Sequence, residues 1–322
     1  MQNLPAPKIH IIGTGGTIAG TSNGGKPDDY ASGARKVESF VSMSVTDEVD
    51  ITTEDLFLKN SDDITSSDLL LLAKTLASYL SENKFDGYVI THGTDTMEES
   101  AFFLYLMLKT DKPVILTGSM IPGDLPGSDG SGNLSGAISC AVDMFRQKKN
   151  GVFVYFNRSL MNAVGITKRH TMNIDCFDDD NENTLISLHN LSNNICDFMG
   201  LHNLYDCSNI SAYLQSLSEF PIVPVIPFYI DADPGVINYY VNLGCPGMVI
   251  AGAGAGEFSK EFIAALSELR SRHIPVIRTS KIKNGPVNHN RTLDSITLNA
   301  QSLAPEKAAM LLRILLAIKN IQ

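Results

Sequence analysis

Lys8-Ile9-His10-Ile11-Ile12-Gly13-Thr14-Gly15-Gly16-Thr17-Ile18-Ala19-Gly20 changes character halfway along its length. Its first half alternates and then accumulates β-branched residues, the pattern of a buried strand. Its second half is a glycine cluster holding two hydroxyls, and glycine permits a sharp turn and the close approach of another group. Open α/β sheets place ligands beyond the carboxyl ends of their strands, which is where this turn would stand. Thr17 is then either part of a tight turn or a nucleophile. The stretch Thr91-His92-Gly93-Thr94-Asp95-Thr96-Met97-Glu98-Glu99 also follows a strand and carries hydroxyls, and it shifts the balance towards chemistry.

Around these two stretches the chain alternates strand and helix. Gly87–Ile90, Pro113–Leu116 and Gly151–Phe156 read as short strands. Ser66–Leu80, Met97–Leu108 and Asn133–Phe145 read as helices, the first with a Ser/Ser/Asp start and a dense leucine face. Asp95 with Glu98 three residues on suits a capping box. This alternation predicts an α/β fold, a mainly parallel sheet flanked by helices. Residues 178–207 turn polar and asparagine-rich without strong periodicity, and 208–222 read as a connection. The alternation then resumes through strand Val223–Ile226, helix Pro234–Leu243, strand Met248–Ala251, helix Ser259–Arg270, strand Pro275–Arg278 and helix Pro305–Ile321. The expected organisation is a larger domain over 1–200, a connecting segment over 201–222 and a smaller α/β domain over 223–322.

A length of 322 residues favours two domains over one core. With 43% hydrophobic and 19% charged residues the chain reads as a folded, soluble protein. A net charge of -10 argues against nucleic acid or an anionic membrane as partner. The five cysteines form no close CxxC pair, which disfavours a disulfide framework and a zinc site and favours a reducing compartment. The first ten residues show neither a basic n-region nor an apolar h-region, so the expected location is cytoplasmic. A chain beginning after a removed leader would read the same and would be periplasmic. No apolar run reaches the ~18 residues that a membrane span needs.

Two motifs imitate nucleotide sites and fail. Gly20, Gly25 and Lys26 fit most of GxxxxGK[ST], but Pro27 has no hydroxyl for magnesium. Gly252-Ala253-Gly254-Ala255-Gly256 misses GxGxxG because Glu257 takes the sixth place. The histidines fall in no HxxxH or HExxH spacing, so neither metal nor cofactor is expected.

Thr17, the Thr94-Asp95 pair, the Asp129-Gly130 turn and Lys168 are the polar groups delivered to the sheet edge. Hydroxyls, a carboxylate and a lysine suit acyl transfer without a metal, because a threonine needs a neighbour to take its proton. A desolvated lysine can do so through a hydroxyl. Backbone N–H groups of the glycine turn and of the helix beginning at Met97 suit an oxyanion. Singly, each has a plainer reading: Lys168 beside Arg169 as a solvated lysine, Asp95 as a helix cap, Tyr30 as an ordinary loop tyrosine, Asp129-Gly130 as a turn.

Together these residues resemble the bacterial-type L-asparaginase family, threonine amidohydrolases that include glutaminase-asparaginases. Thr14-Gly15-Gly16-Thr17-Ile18 looks like its first signature and His92-Gly93-Thr94-Asp95-Thr96-Met97-Glu98 like its second. The likeness extends over Tyr30, Asn60-Ser61, Gly118-Ser119-Met120, Ser128-Asp129-Gly130, Asn133-Leu134 and Thr167-Lys168, and returns more weakly in 248–312. It implies that Thr17 is the nucleophile and Tyr30 the loop tyrosine closing over it. Thr94, Asp95 and Lys168 match a second catalytic cluster in which lysine polarises a threonine or water. Ser61 and Asp95 match the groups holding the substrate's α-carboxylate and α-ammonium, with Asp62 and Gly16 beside them. Ser119 matches a position whose backbone faces the side-chain amide. The implied reaction hydrolyses L-asparagine through a β-aspartyl-enzyme in the larger domain, within a homotetramer or homodimer and without cofactor.

The chain departs from that pattern in places. Asp62 stands where periplasmic members carry glutamine, and Ile121 replaces an arginine, as in cytoplasmic members. Ala255 and Glu257 replace asparagines that reach a neighbour's site, and the family's acidic residue near Asn288–Arg291 has no clear counterpart. Alternatives that the sequence leaves open are a glutaminase-leaning or tRNA-linked amidase of the same superfamily and a non-catalytic metabolite-binding module.

Overall fold

The structure is a computed structural model that describes residues 6–25, 30–41 and 49–322. It divides into two compact units, 1–181 and 182–322. Residues 182–200 fall within the second unit.

The first unit is built on a six-stranded sheet ordered Asp50–Lys59, Lys8–Gly15, Gly87–Thr91, Pro113–Thr117, Gly151–Phe156 and Ser159–Asn162. All neighbours pair in parallel except the last two, which form an antiparallel hairpin edge. Strand Lys8–Gly15 is central and nearly all buried, as its apolar run requires of a strand covered on both faces. On one face Ile9 and Ile11 pack with Val89, Ile115 and the Leu134, Ala137, Ile138 and Ala141 stripe of helix Gly130–Arg146. Helix Ser66–Ser81 packs against helix Met97–Met107, and the latter is buried almost all round. The Ser/Ser/Asp start of Ser66–Ser81 is a capping box, with Thr65 as N-cap and Asp68 reciprocating.

Asp95 and Glu98 do not form the box expected of them. The N-cap of Met97–Met107 is Thr96, whose side chain caps nothing; its Oγ1 donates to Ser61 O at 2.7 Å. Asp95 is drawn instead into an ion pair with Lys168.

The second unit holds a smaller parallel sheet ordered Val225–Pro227, Met248–Gly252, Val276–Ser280 and Leu298–Asn299. Ile237 of helix Gly235–Asn242 and Phe262, Leu266 and Leu269 of helix Lys260–Ser271 pack with Ile226, Met248, Ile250 and Val276. Helix Pro305–Ile321 also contacts the sheet. Arg278 lies fully buried on its strand, its guanidinium donating to Asp294 Oδ1 at 2.5 Å and to Asn288 O at 3.0 Å. Such a cation is tolerated inside a fold because it is paired. Glu257 lies in the loop after Met248–Gly252 and accepts from Asn290 Nδ2 at 3.4 Å.

Candidate active site

The glycine turn works by contact with two other loops. Gly16 sits at φ 78° and ψ −179°, a region that side chains other than glycine's scarcely enter. A Cβ there would lie 2.3 Å from Gly93 N, and one on Gly93 would lie 2.7 Å from Ser61 Oγ. Gly16 N also donates to Lys59 O at 2.9 Å. The ends of three parallel strands are thus drawn together by residues with no side chain between them. Thr14 secures the same junction by donating its hydroxyl to Thr91 O at 2.8 Å.

Between these loops lies a polar pocket of about 210 Å³. Gly16, Thr17, Ser61, Asp62 and Asp95 line it, with Gly93, Asn60 and Ser32 completing the wall. Thr17 and Ser61 are largely buried, whereas the Asp95 side chain is 70% exposed and open to a ligand. Sequence reading had singled out neither Ser32 nor a role for the Asn60 side chain. Ser32 follows the loop tyrosine by two residues, and only that spacing marks it.

Lys168 stands beside this pocket on the short strand Ile166–Lys168, its side chain 12% exposed. Its Nζ donates to Thr94 Oγ1 at 2.8 Å and to Asp95 Oδ1 at 2.5 Å. Thr94 Oγ1 in turn donates to Met120 Sδ at 3.3 Å, a weak acceptor. A hydrogen bond given to a hydroxyl oxygen makes its proton easier to release, so this chain points towards proton donation by Thr94.

The other residues singled out from sequence fall behind or beside the pocket. Asp129 accepts from Met120 N and Ile121 N, both at 3.0 Å, and from Asn133 Nδ2 at 3.0 Å. It braces the loop that presents Met120 and does not line the pocket. Ser119 is fully buried, with no hydrogen-bond partner for its hydroxyl, and also stands outside the lining. Tyr30 pairs through its backbone with Ser22, and its side chain lies outside the described residues.

His92 shows how the second motif is held. Its ring is fully buried, with Nδ1 2.7 Å from Gly93 O and Nε2 2.9 Å from Ser100 Oγ. A carbonyl can only accept, so Nδ1 carries the proton and Ser100 donates to Nε2. Burial pushes the imidazole's pKa from 6.5 down to about 4, against the opposing hydrogen bond to Gly93. The unfolded chain would therefore protonate this ring below about pH 6.5 while the folded chain resists until about 4. Stability carried by His92 is complete above that window and lost as pH falls through it, by on the order of 3 kcal/mol. In His92→Gln the fall in unfolding free energy between about pH 7 and 4.5 should shrink, as measured by urea titration at each pH. Parallel wild-type and variant profiles would refute this.

A larger groove, about 620 Å³, runs past Cys140, Met144, Phe153 and Leu160. It offers no comparable chemistry: burial raises the Cys140 thiol pKa, which keeps it a poor nucleophile. Among the described residues no group of three or more His, Cys, Asp or Glu side chains could hold a metal ion. No helix there is long and apolar enough to cross a membrane.

Comparison with known proteins bears on the whole chain. A family model for the N-terminal domain of asparaginase matches residues 8–196, and one for the glutaminase/asparaginase C-terminal domain matches 222–321. L-asparaginase 2 of Escherichia coli (strain K12) is 31% identical over 318 residues, 97% of this chain and 90% of that protein. L-asparaginase 2 of Bacillus subtilis (strain 168) is 32% identical over 321 residues, 98% and 84% of the two chains. A glutaminase-asparaginase of Pseudomonas fluorescens biotype A is 28% identical over 96% of this chain and 86% of its own length. The crystal structure of a probable cytoplasmic L-asparaginase from Campylobacter jejuni superposes with a TM-score of 0.82 at 31% identity, covering 96% of this chain and 95% of that one.

Proposed function

Because this chain belongs to the asparaginase family, we propose that it hydrolyses L-asparagine to L-aspartate and ammonia at the Thr17 pocket. The observation that carries this reading is the convergence of Thr17, Ser61, Asp62 and Asp95 on one polar pocket beside the Lys168–Thr94 pair. Two carboxylates suit the substrate's α-ammonium. Thr17 Oγ attacks the side-chain amide carbon, and the C–N bond breaks as the nitrogen takes up a proton and leaves as ammonia. Water then hydrolyses the ester formed on Thr17, returning the hydroxyl. Thr94, its oxygen held by Lys168, supplies that proton to the departing nitrogen and is restored by the proton that Thr17 gives up on attack. Backbone N–H groups of the turn other than that of Gly16, which Lys59 O takes, stabilise the oxyanion in between.

The direct test is ammonia release by the purified protein with L-asparagine and with L-glutamine; no release from either would sink the reading. A glutaminase-leaning activity stays in view because some relatives are named glutaminase-asparaginase. One extra methylene discriminates by only ~1–3 kcal/mol, so the ratio of the two kcat/KM values decides it. Lys168→Met should lower kcat on the order of 100-fold with a smaller change in KM, since proton transfer is worth at least that much. Full turnover in that variant would move the proton donor elsewhere.

A homotetramer or homodimer acting in the cytoplasm, with a small amide as its only partner, completes the proposal. Family membership supports the assembly, and light scattering on the eluting protein tests it. The acidic balance of the chain, -10, speaks against a nucleic-acid partner.

A further inference from the structure

Ser32 has two properties that no other described residue combines: it lines the pocket, and its side-chain oxygen is buried without a hydrogen-bond partner. The backbone on either side is pinned. Ala31 pairs with Thr21, Gly33 N donates to Gly16 O at 3.3 Å, and Arg35 N donates to Ala19 O at 2.9 Å. Ser32 is therefore fixed against the turn that carries Thr17. A buried hydroxyl without a partner is costly to keep. A serine has a single side-chain torsion with three staggered wells, so such a hydroxyl turns readily to a ligand atom that offers a bond.

The charge of the pocket says which ligand atom needs it. Asp62 and Asp95 place two carboxylates in the wall, and among the described lining residues there is no lysine or arginine. An amino-acid substrate brings an α-ammonium, which those carboxylates meet, and an α-carboxylate, which they repel. Only neutral donors remain to hold the second group. Ser61 is one, and Ser32, whose buried hydroxyl has no hydrogen-bond partner, is another.

We propose that Ser32 is a specificity-determining residue whose hydroxyl donates to the α-carboxylate of the bound amino acid, an inference that rests on the amidohydrolase reading of this pocket. A hydrogen bond to a charged group, present alike in the bound substrate and the transition state, changes KM and leaves kcat nearly alone.

Three competitive inhibitors separate the contact from general damage: L-aspartate, succinate, which lacks the ammonium, and β-alanine, which lacks the α-carboxylate. With L-asparagine as substrate, Ser32→Ala should raise KM about tenfold, the effect of losing one charge-assisted bond. It should raise the inhibition constants of L-aspartate and succinate to the same degree and leave that of β-alanine unchanged. Ser32→Thr, which keeps the hydroxyl, should restore most of the loss. Equal weakening of all three inhibitors, a fall in kcat at constant KM, or no change at all would each overturn the assignment. Wild-type protein that releases no ammonia fails the amidohydrolase reading itself. Wild-type turnover matched by Ser32→Ala fails only the role of Ser32.

Discussion

Thr17→Ala should reduce ammonia release from L-asparagine by on the order of 10⁴-fold or more while the protein remains folded. The substitution removes one hydroxyl and one methyl from a largely buried residue and leaves the glycine turn before it untouched. Loss of the nucleophile removes the covalent route, leaving only what binding and the oxyanion donors can do for direct attack by water. Binding of L-aspartate, followed by calorimetry, should stay within a few-fold of wild type, because Ser61, Asp62 and Asp95 are all retained. Wild-type protein quenched during turnover should carry a β-aspartyl adduct on the peptide containing Thr17, absent from the variant. An active Thr17→Ala enzyme with its adduct on the Thr94 peptide would reverse the roles of the two threonines. That outcome is physically sensible, because Lys168 touches Thr94.

Gly16→Ala should be among the most damaging single methyl groups in the first unit. It forces a left-handed, glycine-only conformation on alanine and drives Cβ to 2.3 Å from the Gly93 backbone. Backbone cannot step aside as a flexible side chain would. Strain and overpacking together should cost on the order of 3 kcal/mol or more, a fall in the unfolding midpoint of roughly 10 °C for a unit of this size. Activity should fall further than stability, since the same methyl pushes Thr17 away from the Gly93–Asp95 loop. Scanning calorimetry and the ammonia assay at a temperature where the variant is folded measure the two effects separately. A variant with wild-type midpoint and turnover would show that the two loops are not in contact in solution.

Much of this was legible in the residues because it is local. The strand Lys8–Gly15, the strand ending at Thr91 and the long C-terminal helix Pro305–Ile321 follow from apolar runs, glycines and a proline at the helix start. Strand Asp50–Lys59 escaped reading. It stands at the edge of the sheet, and its threonines and acidic residues are tolerated there because most of its positions are only half-buried. Helix Asn181–Met199 escaped because its asparagines are poor helix formers; what holds it is the buried set Leu188, Leu191, Ile195 and Cys196, spaced for one face. The geometry of Lys168 was illegible for a different reason. Nothing within a few residues distinguishes it from a surface lysine, and the partners that do, Thr94 and Asp95, lie 74 and 73 positions away. Asp95 shows the same effect in reverse: its local pattern suits a helix cap, and a distant cation claims it.

That separation has a consequence for when the molecule comes alive. The pocket wall is assembled from the ends of strands at Gly15, Lys59 and Thr91, and the Lys168–Thr94 pair closes only with Lys168, beyond the last parallel strand. A polypeptide emerging from the ribosome carries every wall residue well before it carries that lysine. On the proposed reading, the nascent chain passes through a stage that holds the pocket residues but not the lysine paired with Thr94. Parallel pairing of strands so far apart in sequence is intrinsically slow to form. Recovery of turnover after dilution from denaturant thus reports the closing of the last long-range contact in the first unit, and recovery of binding reports the sheet that precedes it.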